Sequence, residues 1–364
     1  MGVALLGFVN KGVSDASSYK DAITKARPEQ KRYVYRNEYL LTRLADTLDI
    51  PSFVKCVELL GPDQRGRLIA AKLRVKKRFG LEAITEEGAA WTEDELAFIE
   101  GAFLKMAPGE QELLHGVSLV RKKEIRSEVR HGKKFSIDAE TSGGNRIELT
   151  ADAFKTPITP LHEAGHLIQQ KLPIVARQAL EGSKTRTNMN SAAQAYKAAA
   201  AVASAEKGAS PEFVNSLNQM VAAITNLIHN PAQEQKDALD FARNEAEVNR
   251  QKEHLSAWLE AHDRLKAYAD AVEQFTDEKQ AIQSEPGKIE AAFVKIVKDN
   301  HLAQSSFAPF NDYVAHSWPE KPQEFLVQCY ATWRKDPDYL RRNAPKLFEW
   351  FENGGHLSSK KSKK

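Results

Sequence analysis

The chain lacks most of the features that would announce a function class at first sight. It has 2 cysteines in 364 residues. Cys56 and Cys329 stand far apart in apolar, helix-like surroundings, so no disulfide framework is expected and both read as buried thiols. No apolar run is long enough to cross a bilayer. The stretch Met1 to Val9 is too short for a span and lacks the basic start of a signal peptide, so neither a membrane span nor a classical secretion route is expected. A chain delivered by a dedicated secretion apparatus would look the same. Two locations are therefore compatible, the cytoplasm of the producing cell or a non-classical route with that apparatus as a partner. The net charge of +3 is too small to argue for nucleic acid. Lys360, Lys361, Lys363 and Lys364 read as a solubilising, disordered tail over residues 357–364.

What remains is ordinary globular composition, 42% hydrophobic and 28% charged, in a chain long enough for two or three structural units. One stretch states a chemistry, Leu161-His162-Glu163-Ala164-Gly165-His166-Leu167-Ile168. Residues four apart share a helix face, so His162 and His166 can offer their imidazoles to one metal ion. Glu163, one position round, reaches the side of that ion where a water would bind and can take its proton. A helix fits by local rules. Thr159 can cap it, Pro160 suits the first helical position, and Leu161, Ala164, Ile168 and Leu172 form a buried stripe. Gly165 costs about 1 kcal/mol of helix propensity against alanine, which points to a backbone or strand packed close there.

The rest of the chain is punctuated around this motif. Residues 14–88 read as helical, with a basic stretch from Arg65 to Arg78 expected as a solvated helix face. Thr92-Glu93-Asp94-Glu95 opens a capped helix toward Met106, stopped at Pro108-Gly109. Residues 117–120 and 135–138 read as strands, Gly143-Gly144 as a turn, and Arg146-Ile147-Glu148-Leu149 alternates with period two. That last strand is the candidate edge for holding an extended substrate. After Leu172 the composition turns alanine-rich and helical, broken at Pro211, Pro231 and Pro286-Gly287. This insertion reads as a helical bundle, with a lid as the sharper alternative. The expected class is α+β and mostly helical. Its domains are an N-terminal helical domain over 1–88, a core in two parts over 89–186 and 289–356, the insertion over 187–288, and the tail.

A two-histidine site needs one more protein ligand. No histidine follows His166 before His229. Glu181, Glu245 and Glu247 lie in charged helical stretches where solvation is the default. Glu324 opens the segment Pro322 to Trp333, whose Phe325, Leu326, Cys329 and Trp333 make an apolar stripe, and there it is either a ligand or a helix-terminal charge.

His162-Glu163-Ala164-Gly165-His166, taken with Glu324-Phe325 and Asn343-Ala344-Pro345-Lys346-Leu347-Phe348-Glu349, resembles the catalytic domain of anthrax lethal factor and its relatives, gluzincin-type zinc endopeptidases. The resemblance covers about residues 91–170 and 307–353. It implies a zincin-like fold, a single catalytic zinc held by His162, His166 and Glu324, Glu163 as general base, and a protein or peptide substrate. A toxin or effector role follows from the family alone. It also implies a tyrosine before the glutamate ligand that assists at the oxyanion or leaving group. Tyr313 is the nearest, further from Glu324 than the family spacing, with His316 in reserve. The chain departs from the pattern at Gln328, where the family has a second glutamate, and in the 158 positions from His166 to Glu324. Gln328 is expected to serve as a neutral partner one turn on. Rival expectations are a catalytically inactive zincin shell acting as a binding or scaffold protein, and a deformylase-like amidohydrolase. The latter requires a cysteine ligand in a strand, which Cys56 does not supply.

Overall fold

The computed structural model describes residues 9, 16–61, 63–130, 133–302 and 318–359. The class is α+β and mostly helical, with a small sheet. The chain divides into two compact units, one built from Met1–Lys171 and Ile289–Lys364, the other from Leu172–Lys288.

The first unit opens with helices Ala16–Lys25, Pro28–Arg36, Glu38–Thr47, Ile50–Leu60 and Gln64–Phe79. Their starts are fixed locally, since Asn37, Asp49 and Asp63 each accept a backbone N–H of the first turn. Gly61 and Gly80 close the last two helices with φ of 62° and 61°, the left-handed region. Tyr19, Ile23, Val34, Leu41, Leu44 and Phe53 form their core. The Lys77 ammonium donates to the carbonyls of Ala45 and Leu48, supplying partners at the end of the third helix. The basic stretch is largely ion-paired: Arg67 to Glu93, Lys72 to Glu86, and Arg74 and Arg78 both to Glu100.

Strand β1, Ala83–Glu87, follows where helix was expected, so the sheet begins before residue 88. β1 escapes a pattern reading because none of its side chains is fully buried, and Glu86 and Glu87 face lysine and arginine partners. The remaining strands are β2, Ser118–Lys122; β3, Arg126–Arg130; β4, Lys133–Ile137; β5, Ala139–Ser142; and β6, Arg146–Leu149. The four-stranded sheet runs β1-β2-β6-β5, while β3 and β4 pair as a separate hairpin. β1, β2 and β6 are mutually parallel, and β5 is antiparallel to β6. This corrects the expected edge. Arg146–Leu149 lies inside the sheet, with Ile147 and Leu149 buried in the core. Its Arg146 and Glu148 join Glu87 and Lys122 in a ladder of ion pairs across β1, β2 and β6. Among the described residues the sheet's edges are β1 and β5, and β5 is the one that lines the cleft described below.

Helix Glu93–Phe103 carries the expected capping box of Thr92 and Glu95. Trp91 donates its indole N–H to the Thr85 carbonyl at 2.8 Å, and Trp91 and Phe98 both meet the Phe154 ring edge-on. Pro108 does not merely stop that helix; it starts a short one, Pro108–Gln111. The long helix Ile158–Glu181 carries the two histidines, and Pro322–Lys335 carries Glu324. Pro337–Asn343 and Pro345–Glu352 follow, each with proline in its first turn.

The second unit is helical throughout, with Phe213, Leu217, Met220, Ile224, Leu239, Leu265 and Val272 in its core. The expected break at Pro286-Gly287 is absent. Helix Ser256–Asp299 runs through it, with Val272 and Phe275 buried before the proline and Ile289 and Phe293 buried after it. Packing on both sides overrides a local cost of about 3 kcal/mol. Among the described residues, no helix is long and apolar enough to cross a membrane.

Candidate metal centre

The HEAGH helix begins two residues earlier than its caps suggested, at Ile158 rather than Pro160. Ile158 is its first residue and donates its N–H to the Thr156 hydroxyl at 3.2 Å, so Thr156 rather than Thr159 closes the end. Leu161, Ala164, Leu167 and Ile168 are buried, and His162 and His166 lie beside that stripe. Gly165 is in close contact, as expected of it, but with helix side chains rather than a strand. A Cβ placed there would stand 3.0 Å from Val327 Cβ and 3.1 Å from Tyr330 Cδ1. The helix bearing Glu324 therefore touches the HEAGH helix between its two histidines.

That contact brings three ligands together. The ring Nε2 atoms of His162 and His166 each lie 3.4 Å from the same Glu324 oxygen, Oε2, and the three ligand atoms fall within 4.8 Å of one another. A separation of 3.4 Å is long for a charge-assisted hydrogen bond, which closes to about 2.7–2.9 Å. It matches two tetrahedral ligands about 2.1 Å from a common ion, which stand about 3.4 Å apart. Among the described residues no other trio of His, Cys, Asp or Glu converges in this way. The donor set thus fits a divalent cation on geometry as well as chemistry.

The electrostatics agree. Burial pushes the Glu324 carboxyl up, but the His162 and His166 imidazoles facing it more than offset this and hold it below the usual carboxylate range. Burial likewise pushes His162 down, and Glu324 and Glu163 reverse the direction, so its pKa is raised. The pocket stabilises positive charge, whether protons on imidazole or a cation between the three groups.

Gln328, fully buried one turn beyond Glu324, places Oε1 3.0 Å from His162 Nδ1. With the amide oxygen as acceptor, Nδ1 is the donor, so in the neutral ring it is Nε2 that would offer a lone pair to a cation, while in the protonated ring Nε2 carries a proton toward Glu324. Glu163 lies in the same cleft, and its Oε2 accepts a hydrogen bond at 2.8 Å from the Thr141 hydroxyl of edge strand β5. Thr141 escaped the sequence reading because its strand is only four residues long and begins directly after β4. Ala139 and Glu140 of the same strand complete that wall of the cleft, and Arg126 pairs with Glu140 at 2.8 Å. Tyr313 and His316 lie outside the described residues.

Comparison with known proteins returns no match: no family model fits the chain, and no curated protein or solved structure matches it. The site therefore has to be read from its own geometry.

Proposed function

We propose that the chain is a zinc-dependent metalloendopeptidase of gluzincin plan, a lethal factor-like hydrolase that cleaves peptide bonds in a protein substrate. The observation that carries this reading is the convergence of His162, His166 and Glu324 on one point beside Glu163. Two neutral imidazoles and one carboxylate form an open three-ligand set of the catalytic type, and nitrogen with oxygen donors at this spacing suits zinc. A zinc ion bound there would polarise the scissile carbonyl and lower the pKa of an attached water to about 7. Glu163 accepts that water's proton and returns it to the leaving amine. Thr141 orients the carboxylate for this task, and Gln328 holds His162 in the ligating tautomer. The edge of β5 that is unpaired among the described residues seats an extended substrate by strand addition.

Metal analysis of the purified chain should give about one zinc per molecule, lost on His162→Ala. Glu163→Gln should keep the zinc and lower peptide cleavage by about 10²–10⁴-fold or more. Cleavage at the wild-type rate by that variant would sink the mechanism. A second reading, a zincin shell retained for binding alone, draws on the neutral Gln328 where the family carries a glutamate. Stoichiometric zinc without cleavage of any lysate protein would favour it.

A further inference from the structure

The glutamate helix is anchored on a second polar cluster that the proposed chemistry does not use. Glu110, in the short helix Pro108–Gln111, is 2% exposed and accepts four hydrogen-bond contacts. Its Oε2 takes the Ala107 N–H at 2.9 Å and the Tyr330 hydroxyl at 2.9 Å. Its Oε1 takes an Arg334 N–H at 2.5 Å and lies 2.8 Å from His356 Nε2. Burial alone would push this carboxyl up; the partners reverse that and hold it down to about 2. His356 reaches it through a turn only glycine can make. Gly354 has φ of 71°, and a Cβ on Gly355 would stand 2.2 Å from Trp350 Nε1.

Buried ion pairs of this kind add little net stability over apolar packing, and what they can add is register. Register is what the metal centre needs. Apart from Gln328 at His162 and Thr332, the inward residues of the glutamate helix, among them Phe325, Leu326, Val327, Cys329 and Ala331, are apolar and buried, and such contacts tolerate small slides and rotations. A rotation of about 10° moves a group carried about 6 Å from a helix axis by about 1 Å, several times the roughly 0.2 Å within which metal–ligand distances must fall. Tyr330 removes that freedom because it is fixed at both ends: its ring edge rests where Gly165 opens the HEAGH helix, and its hydroxyl is held by Glu110.

We infer that Glu110 and Tyr330 are positioning residues for the third metal ligand, fixing the register of the Glu324 helix against the HEAGH helix, with Arg334 and His356 holding Glu110 in place. The inference rests on the metal-site reading and extends it to a cluster with no access to the ion. The test uses the full chain in two forms, Tyr330→Phe, which keeps the ring and removes one hydrogen bond, and Glu110→Gln, which keeps the shape and removes the charge. Zinc affinity is measured by competition with a chromogenic chelator, and the cobalt-loaded protein by its visible spectrum. Tyr330→Phe should raise the zinc Kd about 10-fold, and Glu110→Gln more, within the 10–100-fold range of outer-sphere partners. The cobalt bands of both variants should weaken from the intense four-coordinate pattern. A purely structural role would lower the unfolding temperature and leave both readouts unchanged. Wild-type zinc affinity and cobalt spectrum in Tyr330→Phe would overturn the inference even if Glu110→Gln failed to fold. Absence of stoichiometric zinc in the wild-type chain would instead overturn the metal-site reading, and this inference with it.

Discussion

Alanine at position 165 sets two opposed effects against each other in a way the structure can decide. In a solvent-facing helix, Gly165→Ala would stabilise the chain by about 1 kcal/mol through helix propensity alone. Here the new methyl would stand 3.0 Å from Val327 Cβ and 3.1 Å from both Val327 Cγ1 and Tyr330 Cδ1. Such contacts are tighter than a Cβ normally makes, so each neighbour must give by a few tenths of an ångström. Val327 is branched and fully buried, and Tyr330 is pinned at its hydroxyl, so the relief comes from moving the whole helix. Overpacking of this size costs about 1–3 kcal/mol, which leaves a net loss of about 0–2 kcal/mol once the propensity gain is counted. The larger effect falls on the metal. Glu324 travels with its helix, and a shift of a few tenths of an ångström already exceeds the roughly 0.2 Å tolerance of a metal–ligand distance. Zinc affinity should therefore fall at least 10-fold, a loss out of proportion to the change in stability. Chelator competition gives the first quantity, and thermal unfolding in excess chelator gives the second. A variant about 1 kcal/mol more stable than wild type, with unchanged zinc affinity, would refute the claim that the two helices are held together at this glycine.

Two other outcomes follow from the same geometry. Thr141→Val removes the hydroxyl that Glu163 accepts while keeping a β-branched shape on β5. It should reduce turnover about 10-fold and leave zinc affinity unchanged, measured by peptide hydrolysis alongside metal titration. In metal-free protein the raised pKa of His162 makes its contribution to stability complete below its ordinary 6.5 and lost as pH rises through the folded value. Thermal unfolding in chelator should thus weaken from neutral toward alkaline pH, and added zinc should reverse the trend, since it binds the neutral imidazole. A flat profile in chelator would show that Glu324 does not hold a proton on His162.

What could be read in the sequence was what local periodicity encodes. His162 and His166 declared a shared face by their spacing, and Thr92 with Glu95 declared a capping box. Glu324 stood out because a carboxylate at the head of a fully apolar stripe needs a partner. The order of the strands was not local information. Arg146–Leu149 alternates as an edge strand would, yet its polar residues answer Glu87 and Lys122 on neighbours that only the fold brings close. β1 was hidden because its glutamates look like a helix surface until Lys72 and Arg146 are placed opposite them. The Glu110 cluster was beyond reach for the same reason: Tyr330 and His356 lie 220 and 246 positions along the chain from it. Pro286 misled in the other direction, because a breaker acts on the isolated helix and tertiary packing can overrule it.

The edge strand β5, unpaired on one side among the described residues, has a further consequence, for handling rather than for chemistry. An unpaired row of backbone donors and acceptors accepts any extended chain, including another copy of this protein partly unfolded, and such edges seed aggregation. This one is only four residues long and carries Glu140, ion-paired to Arg126 of β3. Shortness and charge guard many natural edges in this way. Exchanging Glu140 for an aliphatic residue would therefore bring precipitation on concentration well before any loss of fold.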